Sequence, residues 1–259
     1  MIRRVVGIAA ALALLAPMAA RAEFHVRSPN DIELGVLEIE HNAAASFDHM
    51  PDKSGAQSYT IEFGTGLTSW WKSEIELAFD REPGSSQPTN LTGVVTENTF
   101  QLTEPGQYFA DLGFYAEYGQ SLGTGKHAGP NEVTFGPIIG KDIGRTSHLL
   151  NLFLTQQLGP NQDTHGLDFS YAWQSRWNIW KPLSPAIEIY GNSGTLGRSP
   201  RFSQQQFRVG PVGVGAVSLH DLGLGNAGRI KYEVGWLFGA TQVTAEGTLR
   251  WRLEVEIPF

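Results

Sequence analysis

Apolar and polar residues alternate with a period of two over most of this chain. The last stretch is the clearest case. Leu249, Trp251, Leu253, Val255, Ile257 and Phe259 share one parity, and Thr248, Arg250, Arg252, Glu254 and Glu256 share the other. A pleated strand sends successive side chains to opposite faces. The segment therefore reads as a strand with one apolar and one charged face, and each face must meet a different medium.

Eleven further segments read the same way. They are 32–43, 57–66, 70–81, 92–103, 107–121, 132–141, 148–157, 168–178, 186–192, 205–219 and 229–239. In 70–81, Ile75, Leu77 and Phe79 oppose Lys72, Glu74, Glu76 and Asp80. In 168–178, Phe169, Tyr171, Trp173 and Trp177 oppose Asp168, Ser170, Gln174 and Arg176. Between them lie turn formers such as Glu82-Pro83-Gly84 and Gly159-Pro160-Asn161. No helical period of useful length is present.

These patterns predict an all-β fold: a transmembrane, antiparallel up-and-down β-barrel of about 12 strands, the even number that bacterial single-chain barrels use. An open sheet in hydrocarbon would leave edge N–H and C=O groups unpaired, and closure removes the edges. Strands of roughly ten tilted residues match the bilayer. Trp70, Trp71, Tyr118, Trp177, Trp180, Trp236 and Phe259 fall near strand ends, as interfacial aromatics do. The competing reading is a soluble exported β-sandwich or barrel. It would leave Phe169, Tyr171, Trp173 and Trp177 facing water, a surface that aggregates.

The N-terminus has the form of a secretory signal. Arg3 and Arg4 precede an apolar run from Val5 to Leu15, and Ala20-Arg21-Ala22 presents small residues for cleavage after Ala22. That run is shorter than the roughly 20 apolar residues of a spanning helix. Residues 1–22 are accordingly assigned as signal and 23–259 as one barrel domain, placed in the outer membrane. The chain has no cysteine, which excludes a lipoprotein, a disulfide scaffold and a zinc–thiolate site. Removing residues 1–22 takes three of the 19 basic residues and none of the 26 acids, leaving a net charge of −10. This argues against nucleic-acid binding.

An even strand number puts both ends of the barrel in the periplasm. The outer loops then fall near 44–56, 82–91, 122–131, 158–167, 193–204 and 240–247. The short stretch ahead of the first strand predicts no plug, and disfavours a large energy-coupled transporter.

The C-terminal Leu253–Phe259, the signal and the twelve alternating segments together resemble bacterial outer-membrane β-barrels. The stretches Ala110–Gly119, Phe169–Arg176 and Lys231–Gly239 are similar to a proteobacterial family of uncharacterised barrels, itself loosely similar to outer-membrane transporters linked to aromatic-compound degradation. The resemblance implies barrel architecture. It implies as partners outer-membrane lipid and lipopolysaccharide, and the barrel assembly machinery acting through the strand ending at Phe259. It brings no catalytic residues and no cofactor.

The predicted lumen face is heavily charged: Glu38, Glu40, Glu62, Lys72, Glu74, Glu76, Asp111, Glu117, Arg176, Glu188, Lys231, Glu233, Arg250, Arg252, Glu254 and Glu256. Its acidic excess suits a conduit for cations or neutral polar solutes. The same set also suits a charge network that only fills a narrow barrel. If Phe259 lies beside Asp31, then Arg252 faces Glu38 and Arg250 faces Glu40 across the closing seam. Eight strands leave room only for side chains and sixteen leave a channel. Twelve with Tyr115, Arg176, Arg250 and Arg252 inside predicts a small or gated pore.

An enzyme is the alternative. Asp163, His165 and Asp168 cluster near the fourth outer loop with Ser170 close by, and acid–base chemistry needs such groups within hydrogen-bond reach. Their spacing matches no catalytic motif. His41, His49 and His127 are scattered, and no metal is assigned. Gly223-Leu224-Gly225-Asn226-Ala227-Gly228 has the string of a dinucleotide loop but is followed by a strand rather than a helix, so it reads as a turn.

Overall fold

The computed structural model describes residues 24–123, 129–159, 161–224 and 227–259. The signal segment and His127 lie outside these residues, as does part of the glycine string ending at Gly228.

The alternating segments become β1 (Val36–Phe47), β2 (Gln57–Thr68), β3 (Trp71–Arg81), β4 (Asn90–Gln101), β5 (Asp111–Ser121) and β6 (Asn131–Ile143). They continue as β7 (Thr146–Leu158), β8 (Leu167–Trp177), β9 (Ser184–Thr195), β10 (Gln206–Ser218), β11 (Arg229–Gly239) and β12 (Gly247–Pro258). Each pairs antiparallel with its sequence neighbour, and β1 pairs with β12 to close the ring. The outer and inner faces separate by parity as predicted. Ile61, Phe63, Ile75, Val234, Leu253 and Ile257 are exposed outward, while Glu62, Glu74, Glu254 and Glu256 are buried inward. Among the described residues no helix is long and apolar enough to cross a membrane; the strands supply the apolar band.

Two strands interrupt their ladders. β6 carries Gly136-Pro137 and β10 carries Gly210-Pro211, and the pairings with β7 and β11 skip these residues. Proline has no N–H to give the ladder. The glycines let the neighbouring carbonyls of Leu152 and Trp236 approach where a Cβ would collide.

The closing seam differs from the register expected. Arg252 stands opposite Asn42 and Arg250 opposite Ala44, while Glu38 and Glu40 face Glu256 and Glu254. The slip is four residues. Arg252 still reaches Glu40, but diagonally. The first strand begins at Val36, not Ile32, because the preceding residues do something else.

Residues 24–34 turn inward and occupy the lumen, contrary to the expectation that no plug is present. Gly35, at φ 75°, takes the left-handed turn that joins this segment to the wall, and its carbonyl accepts the Phe259 amide at 2.9 Å. Leu34 bridges to Gly66 at the end of β2. Deeper in, the Arg27 amide donates to Asn151 Oδ1 at 2.7 Å, and Phe24 packs edge-on against Tyr190 at 5.2 Å between ring centroids. The wall is shaped to receive the segment. A Cβ on Gly113 or Gly140 would press on Pro29 at 3.0 and 3.1 Å, and one on Gly66 would meet the Glu33 carbonyl at 2.6 Å.

If the outward band faces hydrocarbon, Leu253→Arg in mid-β12 costs about 2–4 kcal/mol. Urea unfolding of the barrel in lipid vesicles measures this. An unchanged midpoint would mean that this face does not meet lipid.

Candidate functional site

The site that the fold builds is the lumen, and its chemistry changes with depth. The lower part is a continuous network of buried ion pairs. Arg250, fully buried on β12, donates through Nε to Glu188 Oε2 at 2.9 Å and pairs also with Glu233. Glu188 further accepts from Gln174 and Tyr190. Arg252 binds Glu40, and Glu254 at 2.6 Å. Lys72 on β3 lies 3.0 Å from Glu38 and 3.1 Å from Glu74. Glu62 accepts from Asn42 and Thr60, both at 2.7 Å. A buried charge in low dielectric is tolerable only when paired and hydrogen-bonded, and these residues supply one another's partners.

The inward N-terminal segment is built into this network. Arg27 Nη2 lies 2.6 Å from Glu97, and its guanidinium sits 4.3 Å from the centroid of the Tyr115 ring. Asp31 binds Lys231 at 2.6 Å, and Lys231 also holds Glu254 and Glu256. Glu33 pairs with Arg229. Asn30 donates to Asp111 at 2.7 Å. Burial works against the Asp31 charge, but Lys231, Lys72 and Arg252 outweigh it and hold its carboxyl well below the usual range.

The expected lumen residues are thus largely brought together. Glu38, Glu40, Glu62, Lys72, Glu74, Glu76, Glu188, Glu233, Arg250, Arg252, Glu254 and Glu256 are all buried inside. Glu117 accepts from Tyr115. Arg176 instead sits at the barrel end, bonded to Asn178. Glu97 and Arg208 were missed. The alternation around Glu97 is weak, and β10 carries small and apolar residues on both faces. Arg27, Asp31 and Glu33 lie in a segment with no period at all.

Above Phe24 the lumen opens into a cavity of about 190 Å³ whose lining includes Phe24, Tyr115, Tyr190, Asp80, Asp168 and Arg208. A smaller cavity of about 110 Å³ adjoins it and shares Phe24, Asp80 and Arg208.

The candidate catalytic group is not assembled. His165 Nδ1 contacts Gln162 at 3.0 Å, Asp163 uses its backbone amide to reach Gln157, and Asp168 accepts from Thr164 and Thr195. Among the described residues no hydrogen bond or ion pair joins His165 to Asp163, Asp168 or Ser170. Metal-compatible spacing occurs at Asp48, His49 and Glu246 on the outer rim, with Lys53 3.3 Å from Asp48. Two buried carboxylate triads, Glu38/Glu254/Glu256 and Glu62/Glu76/Glu97, also have it. Lys72, Lys231, Arg229 and Arg27 already meet members of these triads.

No family model matches the sequence, and no curated protein matches it. Solved structures do match in fold. The NanC porin superposes with a TM-score of 0.52 at 10% identity, covering 86% of this chain and 100% of its own. An outer membrane channel from Pseudomonas putida F1 superposes with a TM-score of 0.58 at 10% identity, covering 90% and 98%. The chain therefore has the closed-barrel fold of outer-membrane channels.

Two outcomes follow from the ion network. Arg250→Met leaves Glu188 and Glu233 buried without their cation and costs about 3–5 kcal/mol, and adding Glu188→Gln and Glu233→Gln recovers part of the loss. Urea unfolding of the single and triple variants tests this; equal stability of the two would mean the pairs are not coupled. At the outer rim, burial opposes the Asp48 charge, but the Met50 and Glu246 amides and Lys53 hold its carboxyl below the usual Asp range. Its contribution is complete above the ordinary Asp range and is lost as pH falls through the lower folded value. Proteolysis of the 48–56 loop should rise only in that acid window, and Asp48→Asn should show the higher cleavage at neutral pH.

Proposed function

We propose that this chain is a gated outer-membrane channel for small polar or amphipathic solutes, described here in its closed form. One observation carries the reading. The lower lumen is closed jointly by wall side chains and by a separate segment, residues 24–34, which threads between them. A blockage made of wall side chains is permanent, whereas one made of a tethered strip can leave. The wall glycines that seat Pro29, and the Gly35 turn at the strip's base, give it a defined seat and a pivot. Beyond it lies the cavity of about 190 Å³, lined by charged, polar and aromatic side chains. The acids lining the route favour cations over anions. The setting proposed is the bacterial outer membrane, with lipid and lipopolysaccharide against the apolar band and the assembly machinery reading the strand that ends at Phe259.

A second reading is favoured by the ion network itself. A lumen so fully paired around Arg250 suits a structural envelope barrel that conducts nothing.

Planar-bilayer recording separates the two. The intact chain should give rare, small, cation-preferring steps. A variant lacking residues 24–33 should give larger and persistent steps, and Arg27→Gln should raise the frequency of opening by freeing the strip from Glu97. A truncated barrel that is folded, by its heat-modified gel mobility, yet silent would overturn the channel and leave the structural barrel.

A further inference from the structure

Charges in the lower lumen are paired; three at the cavity above Phe24 are held differently. Arg208 on β10 donates from Nε to Thr248 Oγ1 at 3.3 Å and from Nη1 to Gln206 Oε1 at 3.1 Å, and its Cζ lies 5.1 Å from the Phe24 ring centroid. Among the described residues no carboxylate comes within ion-pair distance of it. Two acids on the same cavity are likewise held by neutral donors. Asp80 on β3 accepts from Thr92 Oγ1 at 2.6 Å, and Asp168 on β8 from Thr195 Oγ1 at 2.6 Å and Thr164 Oγ1 at 3.1 Å. All three line the 190 Å³ cavity. In the ring of strands, β3 lies five steps from β10 by way of β2, β1, β12 and β11, which is almost the opposite wall, whereas β8 lies two steps from β10, so that Asp168 is on the Arg208 side.

Arg208 and Asp80 thus face the cavity from nearly opposite walls, over an aromatic floor of Phe24 and Tyr190, while His25, Arg27, Glu76, Glu117 and Glu132, which have partners of their own, also line it. Charges left without counter-ions in a partly enclosed site are costly unless a solute or water answers them. A plain anion drawn to Arg208 also meets Asp80 and Asp168; a plain cation drawn to the acids also meets Arg208. A molecule carrying both charges, well separated, satisfies both walls. A free α-amino acid has its two charges on one carbon and cannot reach nearly opposite walls. A short peptide with free ends can, and its side chains can rest on the aromatic floor. Guanidinium is suited to a carboxylate because it donates in a planar fork.

We infer that the upper lumen is a recognition site for short zwitterionic peptides, with the C-terminal carboxylate on Arg208 and the N-terminal ammonium toward Asp80 on the far wall. The inference rests on the channel reading for its purpose, since it names the solute class presented to the gate.

The test is calorimetric titration of the folded chain in detergent with the tripeptide Ala-Phe-Ala, compared with its N-acetylated and C-amidated forms. The free peptide should bind, and blocking either end should weaken binding by about tenfold or more, the worth of one charge-assisted contact. Arg208→Gln should weaken the free peptide to a similar degree and leave the amidated form unaffected. Asp80→Asn should do the converse, sparing the acetylated form. Equal binding of all three peptides, or none to a folded barrel, overturns the assignment. Binding that tolerates acetylation but not amidation overturns it in favour of a simple carboxylate site. Because heat of binding is read without current, a silent bilayer with peptide binding intact overturns only the channel, and conduction without binding overturns only the peptide site.

Discussion

Closure between β1 and β12 is the interaction on which the rest of this structure depends. In hydrocarbon every unpaired N–H or C=O costs several kcal/mol, so a sheet can span only if its last strand pairs with its first. The twelve-pair ladder from Val36–Pro258 to Phe47–Gly247 does this. Once the ring is closed, outward side chains must be apolar and inward ones must be solvated or paired, with no third option. The alternation of Leu253 with Arg252 and Glu254 is the direct imprint of that choice.

Closure also sets a problem of volume. A twelve-strand ring is too wide for wall side chains alone to fill and narrower than an open porin. The lower half resolves this with chain from the N-terminal side of β1. Residues 24–34 bring backbone, Pro29 and three charged side chains into space that Gly66, Gly113 and Gly140 leave vacant. The same residues complete the electrostatics, because Arg27 meets Glu97 while Asp31 and Glu33 meet Lys231 and Arg229. Packing and charge balance are therefore met by one segment, which is why its position bears so strongly on whether anything passes.

Much of the wall was legible in the sequence, and the reason is narrow. Period-two alternation reports which face a residue takes, so strands such as Arg229–Gly239 and the inward set around Arg250 could be read directly. Alternation is blind to any even shift, because sliding a strand by two or four residues leaves every side chain on its face. The seam register was misread by four for that reason, with Arg252 set against Glu38 rather than Asn42. The inward segment was invisible because a strip packed on all sides has no period. Arg208 was hidden in β10, where Gly210, Val212 and Val214 on its own face look like lipid-facing residues.

The boundary between the two halves of the lumen falls at Phe24, and its location has a physical reason. Below it, cations and carboxylates from β1, β3, β9, β11 and β12 crowd within reach of one another, and desolvation forces them to pair. On its outer side lies the cavity, where Arg208 and Asp80 stand on nearly opposite walls and Asp168 nearer to Arg208, with hydroxyls and an amide for company. Threonine hydroxyls hold the two acids, and Thr248 and Gln206 hold Arg208, so that neutral partners take the place of the ion pairs found below. A lumen that pairs its charges in one half and gives three of them neutral partners in the other has two electrostatically distinct halves. That contrast follows from where the cations sit, with Lys72, Lys231, Arg250 and Arg252 set among the lower carboxylates and Arg208 set apart from them.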